Sequence, residues 1–569
     1  GGRHRTFYHQ CRQADIGWLH GKTDELYYFA RAVTETLKLM DKDGEQYEDL
    51  KGVLERAFDC INWDEDSFYE TAEQAHKVLL AELGRLEKRT DVTVNMVGHT
   101  HIDVAWLWRL KHTREKVQRS FSTALRLMEQ YEEYTFLQTQ PQLYKYVKED
   151  CPEIYMGIRE RVRQGRWEAD GGMWVEADCN VTSGESLVRQ FLYGTRFLER
   201  EFGTACEYLW LPDVFGYSWA LPQILKQCEI NTFMTTKISW NQYNSMPDDL
   251  FWWRGIDGTE ILTYFVDTPD EGYDLDARFS TYNGQATPRT VLGSWKKFKN
   301  KELSKETLVS YGYGDGGGGV NRDMLEMRRA MDRIPGLPHV KTGRAGEFFC
   351  RIHEKVDHMD RYVHTWDGEL YLEYHRGTYT SQAYNKKTNR YLENALARLE
   401  WLSATAWLAG NGYAGQELHD CWECVLLHQF HDIIPGSSIH EVYEDSRVNY
   451  GRVEKLADQV RERVLGQIMK AAPFTYAVYT ANSFGGKEPV LIPDNGPGYF
   501  VDEDGRALDS QRCREGCLVL VDTRPFAAVT VRFVPERQVP GETGRMTPGQ
   551  QPAGEVFRRP ETNCLETPY

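Results

Sequence analysis

Residues 92–106, VTVNMVGHTHIDVAW, decide how the rest of the chain is read. Residues 92–97 are a β-branched, apolar run that stops at Gly98, which predicts a strand and its end. A long helix is predicted next, with Val117, Phe121, Leu125 and Met128 on one face. Further strands are predicted at 208–211, 233–236, 261–265 and 308–311, with helical stretches between them. Thr182 and Glu185 form a capping-box pattern before one such helix. Strand–helix alternation of this kind implies a mostly parallel sheet, open or barrelled.

Outward from this core the texture changes. Leu26, Phe29, Val33, Leu37 and Met40 recur at helical spacing, so residues 1–90 are expected to form an N-terminal helical segment. An α/β barrel-like domain is expected over 91–355 and a helical middle domain over 360–472. Residues 473–569 read as a partial β domain, the start of a C-terminal β-sandwich region, with clear strands at 516–522 and 527–534. The chain is expected to lack material at both ends.

Composition narrows the function. A chain of 569 residues is too long for one core. Its 68 basic and 85 acidic residues give a net charge of −17, which argues against a nucleic-acid partner. No apolar run is long enough to span a bilayer, so no membrane partner is expected. The 12 cysteines are scattered, which favours a reducing compartment and a cytoplasmic location. Cys421 and Cys424 have CxxC spacing but no second pair nearby, and read as buried thiols. Ten of the 16 Trp fall within 106–295, where flat rings could stack on sugar faces.

Four stretches could carry chemistry. In GHTHIDVAW (98–106) the extended chain would put His99, His101 and Asp103 on one face, a donor set that suits a zinc-type ion or a hydrogen-bonded strand equally. In LWLPDVFGYS (209–218), Asp213 sits between a strand and a helix, where it could serve a site or cap that helix. HQFHD (428–432) places His428 and His431 on one helical face near a C-terminus. GYGDGGGG (312–319) lacks the Lys-Ser/Thr step of a phosphate loop, and reads as a flexible loop lining a pocket and bearing Asp315.

Together with GGMWVEADCN (171–180), YHRGTYTS (374–381) and the extended HQFHDIIPGSS (428–438), these motifs resemble glycoside hydrolase family 38, the α-mannosidases, in order and spacing. The wording is most similar to bacterial members related to the cytosolic-type branch. The resemblance implies one Zn2+ held by His101, Asp103, Asp213 and His431. It implies Asp213 as the nucleophile of a retaining hydrolysis through a covalent mannosyl–Asp intermediate. Trp106 matches an aromatic that packs on the sugar, and Asp432 a residue that hydrogen-bonds sugar hydroxyls. His99 and His428 match no ligand position. The acid/base is expected in the loop after 261–265, where Asp270 is favoured over Asp267 and Asp274. The implied partner is a mannose-containing glycan, and a homo-oligomer is allowed. The alternatives are another zinc-dependent carbohydrate hydrolase or deacetylase, and a truncated, inactive glycan-binding homologue.

Overall fold

A computed structural model of the chain describes residues 14–64, 66–469 and 472–536. Residues 1–13 of the expected N-terminal segment and 537–569 of the expected β region lie outside the described residues. The chain divides into two compact units, Gly1–Ile468 and Met469–Tyr569.

The first unit opens with three helices, α1 (Gly21–Leu37), α2 (Glu45–Phe58) and α3 (Phe68–Leu83). Their apolar faces, with Leu26, Val33, Val53 and Leu79, join the main core. Then β1 (Thr93–His99) begins the α/β part, and α4 (Leu110–Gln130) follows it. The order continues β2 (Phe136–Gln138), α5 (Pro141–Asp150), α6 (Pro152–Arg163), β3 (Trp167–Ala169), α7 (Gly184–Phe202), β4 (Tyr208–Trp210), α8 (Leu221–Gln227) and β5 (Thr232–Thr235). A hairpin of β6 (Leu250–Arg254) and β7 (Glu260–Phe265) is followed by α9 (Pro288–Lys297), β8 (Glu306–Tyr311), α10 (Arg322–Met331), β9 (His339–Thr342), α11 (Ala345–His358) and β10 (Thr365–Asp367).

One sheet has the order β3-β2-β1-β8, with β9 also on β1, and all its pairings are parallel. The other has the order β10-β6-β7-β5-β4 and is parallel except for the β6–β7 hairpin. A parallel bridge from Gly171 to Leu209 links the run after β3 to β4, so the sheets curve into one another as in a barrel. The C-terminal ends of β1, β3, β4, β5, β7 and β8 therefore face one side. At that rim Gly312 leaves β8 with φ +135°, and a Cβ there would stand 2.0 Å from the His99 carbonyl oxygen, so only glycine fits.

The helix after residue 182 starts differently from expectation. Ser183 is the N-cap of α7, accepting from the Ser186 N–H at 3.2 Å, while Thr182 is buried one residue earlier.

Three helices, α12 (Ala383–Leu408), α13 (Gly415–His428) and α14 (His440–Ile468), complete the first unit. Cys421 is buried, Cys424 is half-buried, and both are free thiols. The Lys386 ammonium on α12 donates to the carbonyls of Ser381 at 2.6 Å, Ile434 at 3.0 Å and Pro435 at 2.9 Å, tying two loops together.

The second unit is antiparallel. One sheet pairs β11 (Thr475–Tyr479), β17 (Ala528–Pro535), β13 (Gly498–Val501) and β14 (Ala507–Leu508). The other pairs β12 (Gly486–Ile492), β16 (Gly516–Thr523) and β15 (Ser510–Cys513). Val519 and Val521 of one sheet share a buried cluster with Val531 and Phe533 of the other, which is how two sheets pack as a sandwich.

Candidate active site

The rim of strand ends delivers the polar groups. His101 and Asp103 follow β1, Asp213 follows β4, Lys237 follows β5, Asp267 and Asp270 follow β7, and Asp315 follows β8. His431 and Asp432 arrive from the turn after α13. A cavity of about 360 Å³ is lined by Asp103, Trp106, Asp213, Lys237, Asp270, Tyr282, Asp315 and Asp432, among others.

His101, Asp103, Asp213 and His431 are all buried, and their ligand atoms lie within 4.8 Å of one another. The His101 Nε2 is 2.9 Å from Asp103 Oδ1. The His431 Nε2 has no hydrogen-bond partner, yet stands 3.6 Å from oxygens of Asp103, Asp213 and Asp432. That spacing is too long for hydrogen bonds and short enough for atoms that share an ion. Two imidazoles and two carboxylates suit a divalent ion of the zinc type. The donor set therefore fits such a metal.

The electrostatics agree. Burial works to lower the pKa of both histidines. For His101 it is overridden by Glu176 and Asp103, which hold the ring well above its ordinary value. For His431, Asp103, Asp213 and Asp432 raise it to about 10. The site thus favours positive charge at its centre. Burial would raise Asp213, but Lys237, His431 and His101 hold its carboxyl well below the usual carboxylate range. Asp432 is raised by burial and by Asp103. Burial likewise raises Asp315, whose Oδ1 accepts from Tyr282 Oη and Asn283 Nδ2, both at 3.1 Å.

Asp213 does not cap the next helix, since α8 begins after Ala220 with no side-chain cap. Its two oxygens have different partners. Oδ2 faces His431, and Oδ1 receives the Lys237 ammonium. The loop holding Asp213 is braced by Tyr217, whose hydroxyl donates to the Leu211 carbonyl at 2.7 Å.

His99 and His428 stand apart from the cluster. The His99 ring turns toward Trp210, with centroids 5.3 Å apart, and burial with the nearby His101 lowers its pKa to about 3. The three residues of GHTHID therefore do not share one face, because the chain departs from strand geometry at Thr100. His428 packs on Tyr450 and sits 2.8 Å from the Cys424 carbonyl. The glycine-rich loop is tied down: Asp103 N–H donates to the Asp315 carbonyl at 2.9 Å, and Thr100 Oγ1 to that of Tyr313 at 2.9 Å.

The three acid/base candidates separate by position. Asp270 lines the cavity. Asp267 faces a neighbouring cavity with Asp249 and accepts from Ser280 Oγ at 3.2 Å. Asp274 is exposed in the loop. Asn180, which opens an Asn-Val-Thr glycosylation sequon, has its amide turned to the Phe215 carbonyl at 3.3 Å and Tyr379 Oη at 3.0 Å. Lys237, Tyr282 and Glu176 went unnoticed in the sequence. Lys237 lies in none of the motifs the sequence displays, and the only signal for Glu176 is a lone acid in the apolar run MWVEA.

Fold and site define an α/β domain completed by a helical one, with histidines and carboxylates converging beside one cavity. The profile of the glycosyl hydrolases family 38 N-terminal domain matches residues 91–369, and that of the alpha mannosidase middle domain matches 373–468. The chain belongs to glycosyl hydrolase family 38. It is 38% identical over 445 residues to "Alpha-mannosidase G" of Dictyostelium discoideum, covering 78% of this chain and 39% of that protein. It is 37% identical over 478 residues to "Alpha-mannosidase" of Saccharomyces cerevisiae, covering 80% of this chain and 42% of that one. The chain thus spans about two-fifths of the length of these relatives. The crystal structure of an alpha-mannosidase from Enterococcus faecalis V583 shares the fold, with a TM-score of 0.63 at 17% identity over 78% of this chain and 56% of that one. No helix among the described residues is long and apolar enough to cross a membrane.

Proposed function

We propose that the chain carries the catalytic site of a zinc-dependent, retaining α-mannosidase that removes terminal α-linked mannose from glycans. The observation that carries this reading is the buried His101, Asp103, Asp213 and His431 cluster, set beside a cavity that Asp213 and Asp270 both line. The α-mannosidase relatives support the substrate class.

In this reading His101, Asp103, Asp213 and His431 would hold the zinc ion. When bound, the ion supplies Lewis acidity and fixed positive charge beside the Asp213 carboxylate. Asp213, kept ionised by Lys237, attacks the anomeric carbon and forms an ester with the sugar. Asp270 gives its proton to the leaving oxygen. It then takes a proton from the water that cleaves the ester. Asp315 and Asp432 accept hydrogen bonds from sugar hydroxyls, and Trp106 covers an apolar face of the ring. The scattered free thiols favour a reducing, cytoplasmic setting.

Hydrolysis of an aryl α-mannoside, with and without chelator, tests the reading on wild type and Asp213→Ala. Activity should vanish with chelator, return with Zn2+, and be lost in Asp213→Ala. Full activity in the variant, or turnover of N-acetylated sugars alone, would sink it.

A further inference from the structure

Glu176 takes no part in the chemistry above, yet it contacts both histidines of the cluster. Its Oε2 lies 3.0 Å from His101 Nδ1. Its main-chain carbonyl lies 2.8 Å from His431 Nδ1 and also accepts the His431 N–H at 3.2 Å. The opposite ring edges, the Nε2 atoms, are the ones turned toward Asp103 and Asp213. One residue therefore backs both rings on the side away from the cluster.

Glu176 is itself held. Thr139 Oγ1 donates to its Oε1 at 3.0 Å. Gln140 accepts from the Glu176 N–H at 3.2 Å and donates to the carbonyl of Ile102, between His101 and Asp103, at 3.0 Å. Gln140 does this from the left-handed region, at φ +64°, which a non-glycine residue adopts only when its surroundings demand it. Thr139, Gln140 and Glu176 are all buried. His101 Nδ1 and Glu176 Oε2 are both buried without a hydrogen-bond partner, and at 3.0 Å each is the polar atom that faces the other. A histidine that ligates through one nitrogen usually presents the other to a carboxylate or carbonyl, which fixes its tautomer and ring orientation.

We propose that Glu176 is the positioning residue for both histidine ligands, its carboxylate setting His101 and its main-chain carbonyl setting His431. The proposal rests on the metal reading above. It carries an asymmetry: side-chain substitution at 176 reaches His101 alone, because the hydrogen bond to His431 belongs to the backbone.

Zn2+ titration of the full chain in competition with a chromophoric chelator tests it, on wild type, Glu176→Ala and Glu176→Gln. The affinity of Glu176→Ala should fall about 10- to 100-fold with one ion still bound per chain. Glu176→Gln keeps an acceptor without the charge and should lose about threefold or more. The thermal midpoint of metal-free Glu176→Gln should match metal-free wild type, since a residue that only supports the fold would lower it. Affinity within about twofold of wild type in either variant overturns the proposal, as does a lowered metal-free midpoint in Glu176→Gln. If Glu176→Ala does not fold, Glu176→Gln decides. Wild type that binds no Zn2+ defeats the metal reading itself, and is told apart by that result.

Discussion

At the scale of single residues, the Lys237–Asp213 contact sets the state of the proposed nucleophile. Both side chains are buried, and the Lys237 charge, together with His431 and His101, opposes the rise that burial would impose on Asp213. Lys237→Met should lower kcat on an aryl α-mannoside by on the order of 100-fold. The sign of the pH effect follows: with Lys237 gone the Asp213 pKa rises, so the acid limb of the rate profile moves to higher pH. Lys237→Arg should recover part of the rate. A Lys237→Met enzyme with wild-type kcat and an unmoved acid limb would contradict this role. Asp270 is tested by leaving groups. Asp270→Ala should lose far more activity on substrates with poor leaving groups than on activated ones. Equal losses would count against Asp270, and the same pattern in Asp267→Ala would move the role there. His101, Asp103 and Asp213 were legible because each lies at or just beyond a readable strand end. Lys237 and Glu176 were not, because burial of one lysine or one glutamate leaves no mark on neighbouring residues.

At the scale of elements, α13 shows how a motif histidine can serve packing. His428 is fully buried, and burial lowers its pKa to about 4, against 6.5 in the unfolded chain. Above pH 6.5 it is neutral in both states. Between pH 6.5 and 4 the unfolded chain takes up a proton that the folded chain cannot, so stability falls as pH falls through that window. The wild-type loss there should exceed that of His428→Leu by on the order of 3 kcal/mol, read from denaturant midpoints at each pH. Parallel curves for the two proteins would refute it. The long helices were readable from periodicity, and β1 and β8 from their apolar runs. By contrast β2, β3 and β10 have three residues each, too few to show a period. β1, β7 and β8 are nearly fully buried, so they show no alternation and only their length marks them.

For the whole molecule, one cavity draws on residues from Asp103 to Ser437, so most of the first unit serves to shape it. That explains why the motifs are far apart in sequence and uninformative singly. His431 gains meaning only once the helical domain places it 3.6 Å from Asp103 and Asp213. Their convergence could not be read from local spacing, and came to view in the sequence through family resemblance alone. The central claim is that Asp213 forms a covalent bond to the sugar, and the configuration of the first product tests it most directly. Proton NMR of an aryl α-mannoside digest, read before mutarotation, should show α-mannose appearing first. β-Mannose as the first product would mean direct attack by water and would contradict the account.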